Sequence, residues 1–320
     1  MKDFLLKYLL TGTLSLLITA CGTIQYTSTK VQTLNPPTRQ INLSSSANIA
    51  IVALWNTAGD SLDLTNTAMF LKENLEASPK YSAYVFPVYT IQSHEEMSNE
   101  QIDEIRATSD ADYLIVLANL KIDVGKSKVS GALSGYVYGN ESYSISTPAI
   151  YGVSFKIYDA RQHTLLDSNQ VNDTLNLVSK QYYWEVDEDV LPDRKTVVET
   201  VGRELTQNYA KRLAPYWMEE TRYYYLQSEI ERAREYIENE DWHNAMRVWM
   251  QHVDNSNKSL AAVCCFNMAL GCEMLGEYDL ALKWMENIKR KDEKYYWIEY
   301  KQTIEKRISE KKVIDKMIFD

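Results

Sequence analysis

The chain has 320 residues, with 34 Lys and Arg against 44 Asp and Glu, and a formal net charge of −10 at pH 7. An acidic chain lacks the clustered basic side chains that hold phosphate backbones, so we expect no nucleic-acid partner. The length exceeds what one hydrophobic core usually serves and predicts two domains.

The first twenty residues have the pattern of a secretory signal. After a positively charged start, an apolar run covers residues 8–18, which is shorter than the roughly 20 apolar residues of a membrane-spanning helix. Thr19 and Ala20 then lead directly into Cys21, and this ending resembles the lipobox of bacterial lipoproteins. The resemblance implies cleavage before Cys21 and acylation there, so that lipid holds the chain on a membrane. An uncleaved anchor, or a plain secretory signal followed by a coincidental cysteine, is the alternative.

Residues 21–46 are rich in Thr, Ser, Gln and Asn, contain two prolines and show no sustained apolar period. We expect a flexible tether behind the lipidated Cys21. No acidic run follows Cys21, whereas surface-exported lipoproteins of Bacteroidota-like bacteria often carry one. This favours an outer-membrane lipoprotein that faces the periplasm.

Residues 47–215 predict a small mixed α/β domain. Short apolar runs alternate with helical patterns, and one helix carries Leu64, Ala68, Leu71 and Leu75 on one stripe. The predicted order is a strand at 49–55, that helix, a strand at 84–89, a helix at 98–108 capped by Ser98, and a strand at 113–124.

The next stretch alternates with a period of two, which predicts hairpin-linked antiparallel strands with one polar face. The predicted strands lie at 129–137, at about 143–157 and at 164–175. The strand and helix order, with the texts ANIAIVALWN and SDADYLIVLANL, resembles the small α/β domain of the curli secretion lipoprotein and of the Tol propeller protein. The resemblance implies a role in envelope assemblies. It also leaves open an oligomeric secretion pore, because 127–158 lie where the curli lipoprotein carries membrane-spanning hairpins.

Residues 216–320 predict an all-α domain containing an internal repeat displaced by 36 residues. The first copy contains Ala233, Tyr236, Trp242, Ala245 and Trp249, and the second contains Ala269, Cys272, Tyr278, Ala281 and Met285. This pattern resembles the tetratricopeptide repeat, a pair of antiparallel helices. The resemblance implies close helix contacts at the alanines and a turn at Gly276, where the first copy has Glu240. A helix over 294–317 would cap the array.

The motifs of catalysis and metal binding are missing from this sequence. HEEMS, residues 94–98, has Ser98 where a zinc-protease helix needs its second histidine, and there is no phosphate loop or dinucleotide fingerprint. Cys264, Cys265 and Cys272 lie on one predicted helix at spacings that suit neither a disulfide nor a zinc site. We therefore expect no catalytic residues, no metal and no cofactor.

Together these patterns predict an α+β fold, in which a small mixed sheet domain precedes a helical-hairpin domain. The whole arrangement resembles a Bacteroidota lipoprotein family of unknown function. The leading hypothesis is a membrane-anchored cell-envelope lipoprotein, not an enzyme, that meets a protein or peptide partner through its helical repeats. A secretion pore component is one alternative. An envelope glycan binder is another, since the chain has 23 tyrosines and 7 tryptophans.

Overall fold

The computed structural model of the chain describes residues 25–39, 41, 43, 47–81, 84, 86–93, 96–130, 142–182, 192–288 and 295–319. Its strands are β1 (Gln25–Asn35), β2 (Ile49–Trp55), β3 (Val88–Gln92), β4 (Tyr113–Val124), β5 (Lys128–Ser130), β6 (Ser142–Asp159), β7 (Thr164–Tyr182) and β8 (Tyr216–Leu226). Its helices are α1 (Ala58–Glu76), α2 (Asn99–Ser109), α3 (Arg194–Leu213), α4 (Ala233–Glu238), α5 (Trp242–Met250), α6 (Lys258–Met274), α7 (Tyr278–Glu286) and α8 (Tyr295–Phe319). A β-sheet region followed by a helical region confirms the predicted α+β class.

The chain divides into two compact units. Among the described residues, the helical unit contains those up to Thr33 and those within Met218–Lys312, and the sheet unit contains those within Leu34–Trp217 and those after Lys312. No described helix is both long enough and apolar enough to cross a bilayer.

The sheet unit is built on a mixed sheet in the order β3-β2-β4-β6, with β5 and β7 also paired to β6. Strands β2, β3 and β4 are parallel, and β4, β6 and β7 are antiparallel. One face of β2 packs into a core that includes Leu64, Leu71 and Leu75 of α1 and residues of α3. The other face packs against Ile102 and Ile105 of α2. The predicted strand and helix order is thus confirmed, with helices on both faces of the sheet.

Strand β4 has the predicted bounds, whereas the strand expected at 84–89 is displaced along the chain. The paired residues are Val88–Gln92, and Pro87 lies just before them. Proline has no N–H to give to a ladder, but its carbonyl accepts a hydrogen bond from Ile51 N–H at 2.9 Å. The predicted cap of α2 is confirmed, because Ser98 and Gln101 form a reciprocal capping box.

The long antiparallel strands follow the predicted alternation. Along β6 the side chains of Ile145, Tyr151, Val153, Phe155 and Ile157 are all buried. Their partner β7 continues to Tyr182, beyond the predicted end. Of the strand expected at 129–137, the described part is a short pairing of β5 with β6, and residues 131–137 lie outside the described residues.

The tether expected over 21–46 is wrong for its central part, because β1 pairs with β8 there. Beyond β1, Thr38 N–H donates to Lys211 C=O at 2.8 Å, and Arg39 Nη2 lies 2.9 Å from the buried carboxylate of Asp167. Thr-rich polar sequence is typical of a linker. Threonine is β-branched and suits a strand equally well, so hydrogen bonds and an ion pair hold this segment.

The helical unit contains two helical hairpins, α4–α5 and α6–α7, followed by α8. The expectation that residues from 216 onward are entirely helical is wrong, since β8 occupies the start of that region. Lys30 Nζ lies 2.7 Å from Glu219 Oε1, and the rings of Tyr26 and Tyr223 meet at 5.8 Å. From Tyr26 to Lys30 the chain moves four residues forward on β1, while their partners move four residues backward on β8, from Tyr223 to Glu219. The two strands are therefore antiparallel.

Candidate functional site

The repeat positions predicted from sequence lie in the core of the helical unit. Seven of them are buried: Ala233, Ala245, Trp249, Ala269, Cys272, Ala281 and Met285. Three more pack against that core while partly exposed: Tyr236, Trp242 and Tyr278. The small residues let the paired helices approach closely, and the tryptophan fills the space between the hairpins.

The turns of the two hairpins share one backbone conformation. Gly276 has φ +74°, and Glu240, its equivalent in the first hairpin, has φ +57°. Left-handed backbone of this kind is the ordinary state of glycine but is unfavourable for a residue with a Cβ. The first hairpin therefore holds a glutamate where the geometry favours glycine.

Strand β8 lies along helix α6, where one asparagine side chain holds it. Asn267 is fully buried. Its Oδ1 accepts a hydrogen bond from Tyr225 N–H, and its Nδ2 donates one to Tyr225 C=O, each at 2.9 Å. The amide thus supplies both hydrogen bonds that a neighbouring strand would otherwise make. A buried main-chain group without a partner costs about 1–3 kcal/mol, so this clamp stabilises an extended segment beside a helix.

Aromatic side chains pack around the clamp. The ring of Tyr225 meets Phe266 of α6 edge-on at 5.1 Å and Trp297 of α8 at 6.2 Å. Trp297 Nε1–H also donates to Tyr225 Oη at 2.7 Å. Edge-to-face pairs of this kind add about 0.5–1.5 kcal/mol beyond the area that they bury. One tyrosine of β8 is therefore held by two helices through its main chain, its ring and its hydroxyl.

A buried ionic network joins β8 to α6 and α8. Arg222 Nε donates to both carboxylate oxygens of Glu273 at 3.1 Å, and its Nη2 donates to Oε1 at 2.8 Å. Tyr300 Oη donates to Glu273 Oε2 at 2.6 Å. Glu220 Oε2 lies 2.7 Å from Arg222 Nη1, and Glu220 also pairs with Arg307. Buried charges persist when paired and hydrogen-bonded in this way.

Burial and the neighbouring charges of the network shift the pKa values of several of its side chains. Burial raises the pKa of Tyr300 well above its usual range, and the charge of Glu273 raises it further. Burial alone would lower the pKa of Arg222, but the hydrogen bonds and charge of Glu273 raise it above its usual value. Burial opposes ionisation of Glu220, yet hydrogen bonds from Arg222 and Arg307 lower its pKa. At neutral pH Glu220 and Arg222 are therefore ionised, and Tyr300 is a neutral donor.

Beside this network, strand β8 and helix α8 enclose an open cleft of about 450 Å³. The strand contributes Thr221, Arg222 and Tyr223, and the helix contributes residues between Tyr296 and Lys306. Tyr223 and Tyr296 meet edge-on at 5.4 Å, and Tyr223 N–H donates to Tyr296 Oη at 3.3 Å. A cleft of this size, with aromatic walls and charged residues at its rim, is suited to bind a short segment of a ligand. We call it the β8–α8 cleft.

A second cleft, of about 320 Å³, lies beside α6 and α7. Its lining includes Ala261 and Ala262 of α6, Trp284 of α7, and the charged residues Asp254 and Lys258. It is smaller than the β8–α8 cleft. We call it the hairpin cleft.

The cysteines of α6 serve packing. Burial raises the pKa of Cys264 to about 12 and that of Cys272 to about 11, so both thiols stay protonated at neutral pH. Within the part of the chain that the structure describes, no group of three His, Cys, Asp or Glu residues is placed to hold a metal ion. Cys21, the predicted lipidation residue, lies outside the described residues.

Sequence reasoning missed Asn267, Arg222, Glu273 and β8 itself. Two signals were present. Asn267 interrupts the apolar text AAVCCF–MALGC of α6, where a polar side chain needs a buried partner. The text RYYYL of β8 is rich in tyrosine, which favours strands.

The fold and the site thus define an α+β chain whose helical hairpins hold an extended segment of the same chain. A family model described as "Domain of unknown function (DUF8603)" matches residues 39–225, more than half of the chain, and the chain belongs to this family. A second model, "Domain of unknown function (DUF6340)", matches residues 231–311. No curated protein matches the sequence.

Solved structures of three bacterial proteins are among those similar to part of the chain. The PelC dodecamer from Paraburkholderia phytofirmans is 13% identical, with a TM-score of 0.27, over 59% of this chain and 99% of that one. A minor lipoprotein from Acinetobacter baumannii is 15% identical, with a TM-score of 0.23, over 53% and 98%. Lipoprotein GNA1162 from Neisseria meningitidis is 12% identical, with a TM-score of 0.21, over 50% and 96%. Scores this low support no conclusion about this chain's fold or function.

Proposed function

We propose that this protein is a lipid-anchored lipoprotein of the cell envelope that holds a protein partner through its helical unit and catalyses no reaction. The observation that carries the interaction role is the Asn267 clamp on Tyr225. Helices that hold one extended segment by its main chain have the geometry needed to bind an extended segment of another protein.

The anchoring role rests on the sequence around Cys21. A thiol directly after a short apolar run is the pattern of a lipidated cysteine. Two or three acyl chains hold a protein firmly, since each buried methylene contributes about 0.8 kcal/mol. We assign the protein to the outer membrane, facing the periplasm, because no acidic run follows Cys21.

The anchor is tested by comparing the full-length protein with Cys21→Ser. We expect mass spectrometry to find an acylated Cys21, and we expect the variant to leave the membrane fraction. A Cys264→Ser variant is the matched control, because that thiol is buried in α6 and should leave membrane attachment unchanged. A Cys21→Ser protein that stays on membranes would contradict the anchor.

The interaction role is tested by photocrosslinking in intact cells. A photoreactive phenylalanine analogue replaces Gln302, which lies at the β8–α8 cleft, or Trp284 at the hairpin cleft. The control position is Lys195, an exposed residue of α3 in the sheet unit. We expect a discrete crosslinked protein from at least one cleft position and none from Lys195. The absence of crosslinks at both clefts would count against a protein partner.

A glycan is the second candidate ligand, because Tyr223 and Tyr296 line the β8–α8 cleft. Tyrosine rings offer flat apolar faces with a polar edge, which suits sugar rings. Calorimetry of the protein with envelope glycan fragments distinguishes the two candidates.

A further inference from the structure

One main-chain edge of β8 faces the β8–α8 cleft. Tyr223 N–H donates to Tyr296 Oη, and Tyr225 N–H and C=O bind Asn267, so both residues turn their main chain toward the helices. In an antiparallel strand every second residue turns its N–H and C=O to the same side. The main-chain groups of Thr221 therefore face this side too, where the cleft opens, and its C=O accepts one long hydrogen bond, from Arg222 Nη1 at 3.4 Å.

The edge is occupied differently along its length. At Tyr225, the Asn267 amide takes both main-chain groups at 2.9 Å. At Tyr223, a single tyrosine hydroxyl takes the N–H at 3.3 Å, a long bond for this type. The clamp closes one end of the edge, and the hydroxyl of Tyr296 is a weak, replaceable partner at the start of the open end.

The helix wall of the cleft carries one charge of each sign. Glu299 and Lys306 both line the cleft from α8, and both residues are exposed. They are seven positions apart on α8, which corresponds to about 10 Å along the helix axis. Extended chain rises about 3.3 Å per residue, so side chains four residues apart on one face of a strand can reach both charges.

We propose that the β8–α8 cleft binds an extended peptide segment of a partner protein, which adds to the edge of β8 at Thr221 and Tyr223. A carbonyl of the peptide takes the Tyr223 N–H from Tyr296, a basic side chain meets Glu299, and an acidic side chain meets Lys306. This inference rests on the proposed interaction function and names its ligand. The exposed strand edge favours a peptide over a glycan, because main-chain hydrogen bonds give strand addition its affinity.

Binding is measured by fluorescence anisotropy with the detergent-solubilised full-length protein. The probe is the labelled peptide Thr-Lys-Val-Thr-Val-Glu-Thr with blocked ends, together with a second peptide in which Lys and Glu are exchanged. We expect one of the two to bind more tightly, because Glu299 and Lys306 have fixed positions and, for a given strand direction, only one of the two sequences places its Lys beside Glu299. N-methylation of alternate peptide nitrogens should weaken binding at least about tenfold, because it removes strand hydrogen bonds.

Variants of the cleft test the assigned contacts. Glu299→Lys and Lys306→Glu should each weaken the better peptide about three- to tenfold. Glu305→Lys and Lys312→Glu are matched controls, since both residues are exposed on α8 and do not line the cleft. Tyr296→Phe keeps the ring but removes the competing hydroxyl, so binding should stay equal or become tighter.

Four results would overturn the inference. They are no binding of either peptide, binding that tolerates N-methylation, loss of binding in Tyr296→Phe, or binding of chitotetraose in place of the peptides. If any of these four results were found while the photoreactive residue at position 284 gave a crosslinked protein, the proposed interaction function would stand. Only the assignment of an extended peptide to the β8–α8 cleft would then be wrong. Peptide binding as predicted, without crosslinks in cells, would instead contradict the proposed function alone.

Discussion

Asn267 and Tyr225 are joined through both atoms of the asparagine amide, so a helix side chain takes the place of a neighbouring strand. The two residues are 42 positions apart in the chain. This contact explains how the helical unit can include a strand. It lets β8 run along α6 while the buried N–H and C=O of Tyr225 keep hydrogen-bond partners.

Replacing Asn267 with leucine should destabilise the protein by about 2–4 kcal/mol, because Tyr225 N–H and C=O both lose a partner. The measurement is the free energy of unfolding in urea, followed by tryptophan fluorescence. Asn208→Leu is the control, since Asn208 is exposed on α3, and its effect should stay within about 0.5 kcal/mol. An equally small effect for Asn267→Leu would mean that the clamp does not hold β8.

The pair of Arg222 and Glu273 should behave as a buried ion pair. Glu273→Met leaves the guanidinium of Arg222 buried without its main partner and should cost about 3–5 kcal/mol. Arg222→Met combined with Glu273→Met should recover at least half of that loss, because no uncompensated charge remains at this pair. Lys30→Ala is the comparison, because its ion pair with Glu219 is exposed to solvent and should contribute little to stability. A double variant less stable than Glu273→Met would contradict this account.

Acid should weaken the helical unit through Glu220, whose pKa is lowered in the folded protein by hydrogen bonds from Arg222 and Arg307. An unfolded glutamate titrates near about pH 4.3, so between that value and the lower folded pKa the unfolded state binds more protons. The stability from Glu220 is therefore complete above about pH 4.3 and is lost as the pH falls through the folded pKa. Glu220→Gln should show a smaller loss of unfolding free energy between pH 6 and pH 3. A loss equal to that of the wild type would exclude Glu220 as a contributor.

Exchanging residues at the two hairpin turns should change stability in opposite directions. Glu240→Gly relieves left-handed strain and should stabilise the protein by roughly 0.5–1 kcal/mol, net of the entropy that glycine adds to the unfolded chain. Gly276→Ala should cost about 1 kcal/mol. Its new Cβ would meet no atom within 4 Å, so the cost would come from the backbone alone. Glu235→Gly, inside α4, is the control and should cost about 1 kcal/mol. Thermal midpoints of the three variants check these signs.

Local periodicity predicted most of the sheet unit. The stripe of α1, the run of β4 and the alternation of β6 each place apolar residues at the spacing of a single element, so the neighbouring sequence is enough. The Ser98 capping box is likewise a local signal. The displaced β3 was a boundary error at Pro87, where strand propensity continues past a residue that cannot donate to a ladder.

Non-local pairing set the limit of prediction in the helical unit. Strands β1 and β8 are nearly 200 residues apart, and neither has an apolar face that identifies it as a strand by itself. Tyr225 of β8 is buried against α6 and α8, and a single sequence does not contain that information. The hairpin turns can be predicted from the sequence, because the 36-residue displacement aligns Glu240 with Gly276, and both have positive φ.

Strand β1 begins at Gln25, only four positions beyond Cys21. Four steps along an extended chain span at most about 15 Å. Acyl chains on Cys21 would therefore hold the start of β1 close to the membrane, with the β1–β8 strand pair beside the lipid headgroups. A partner would then have to be recognised at the bilayer surface, and proteins whose binding segments stay deep in the periplasm would be out of reach.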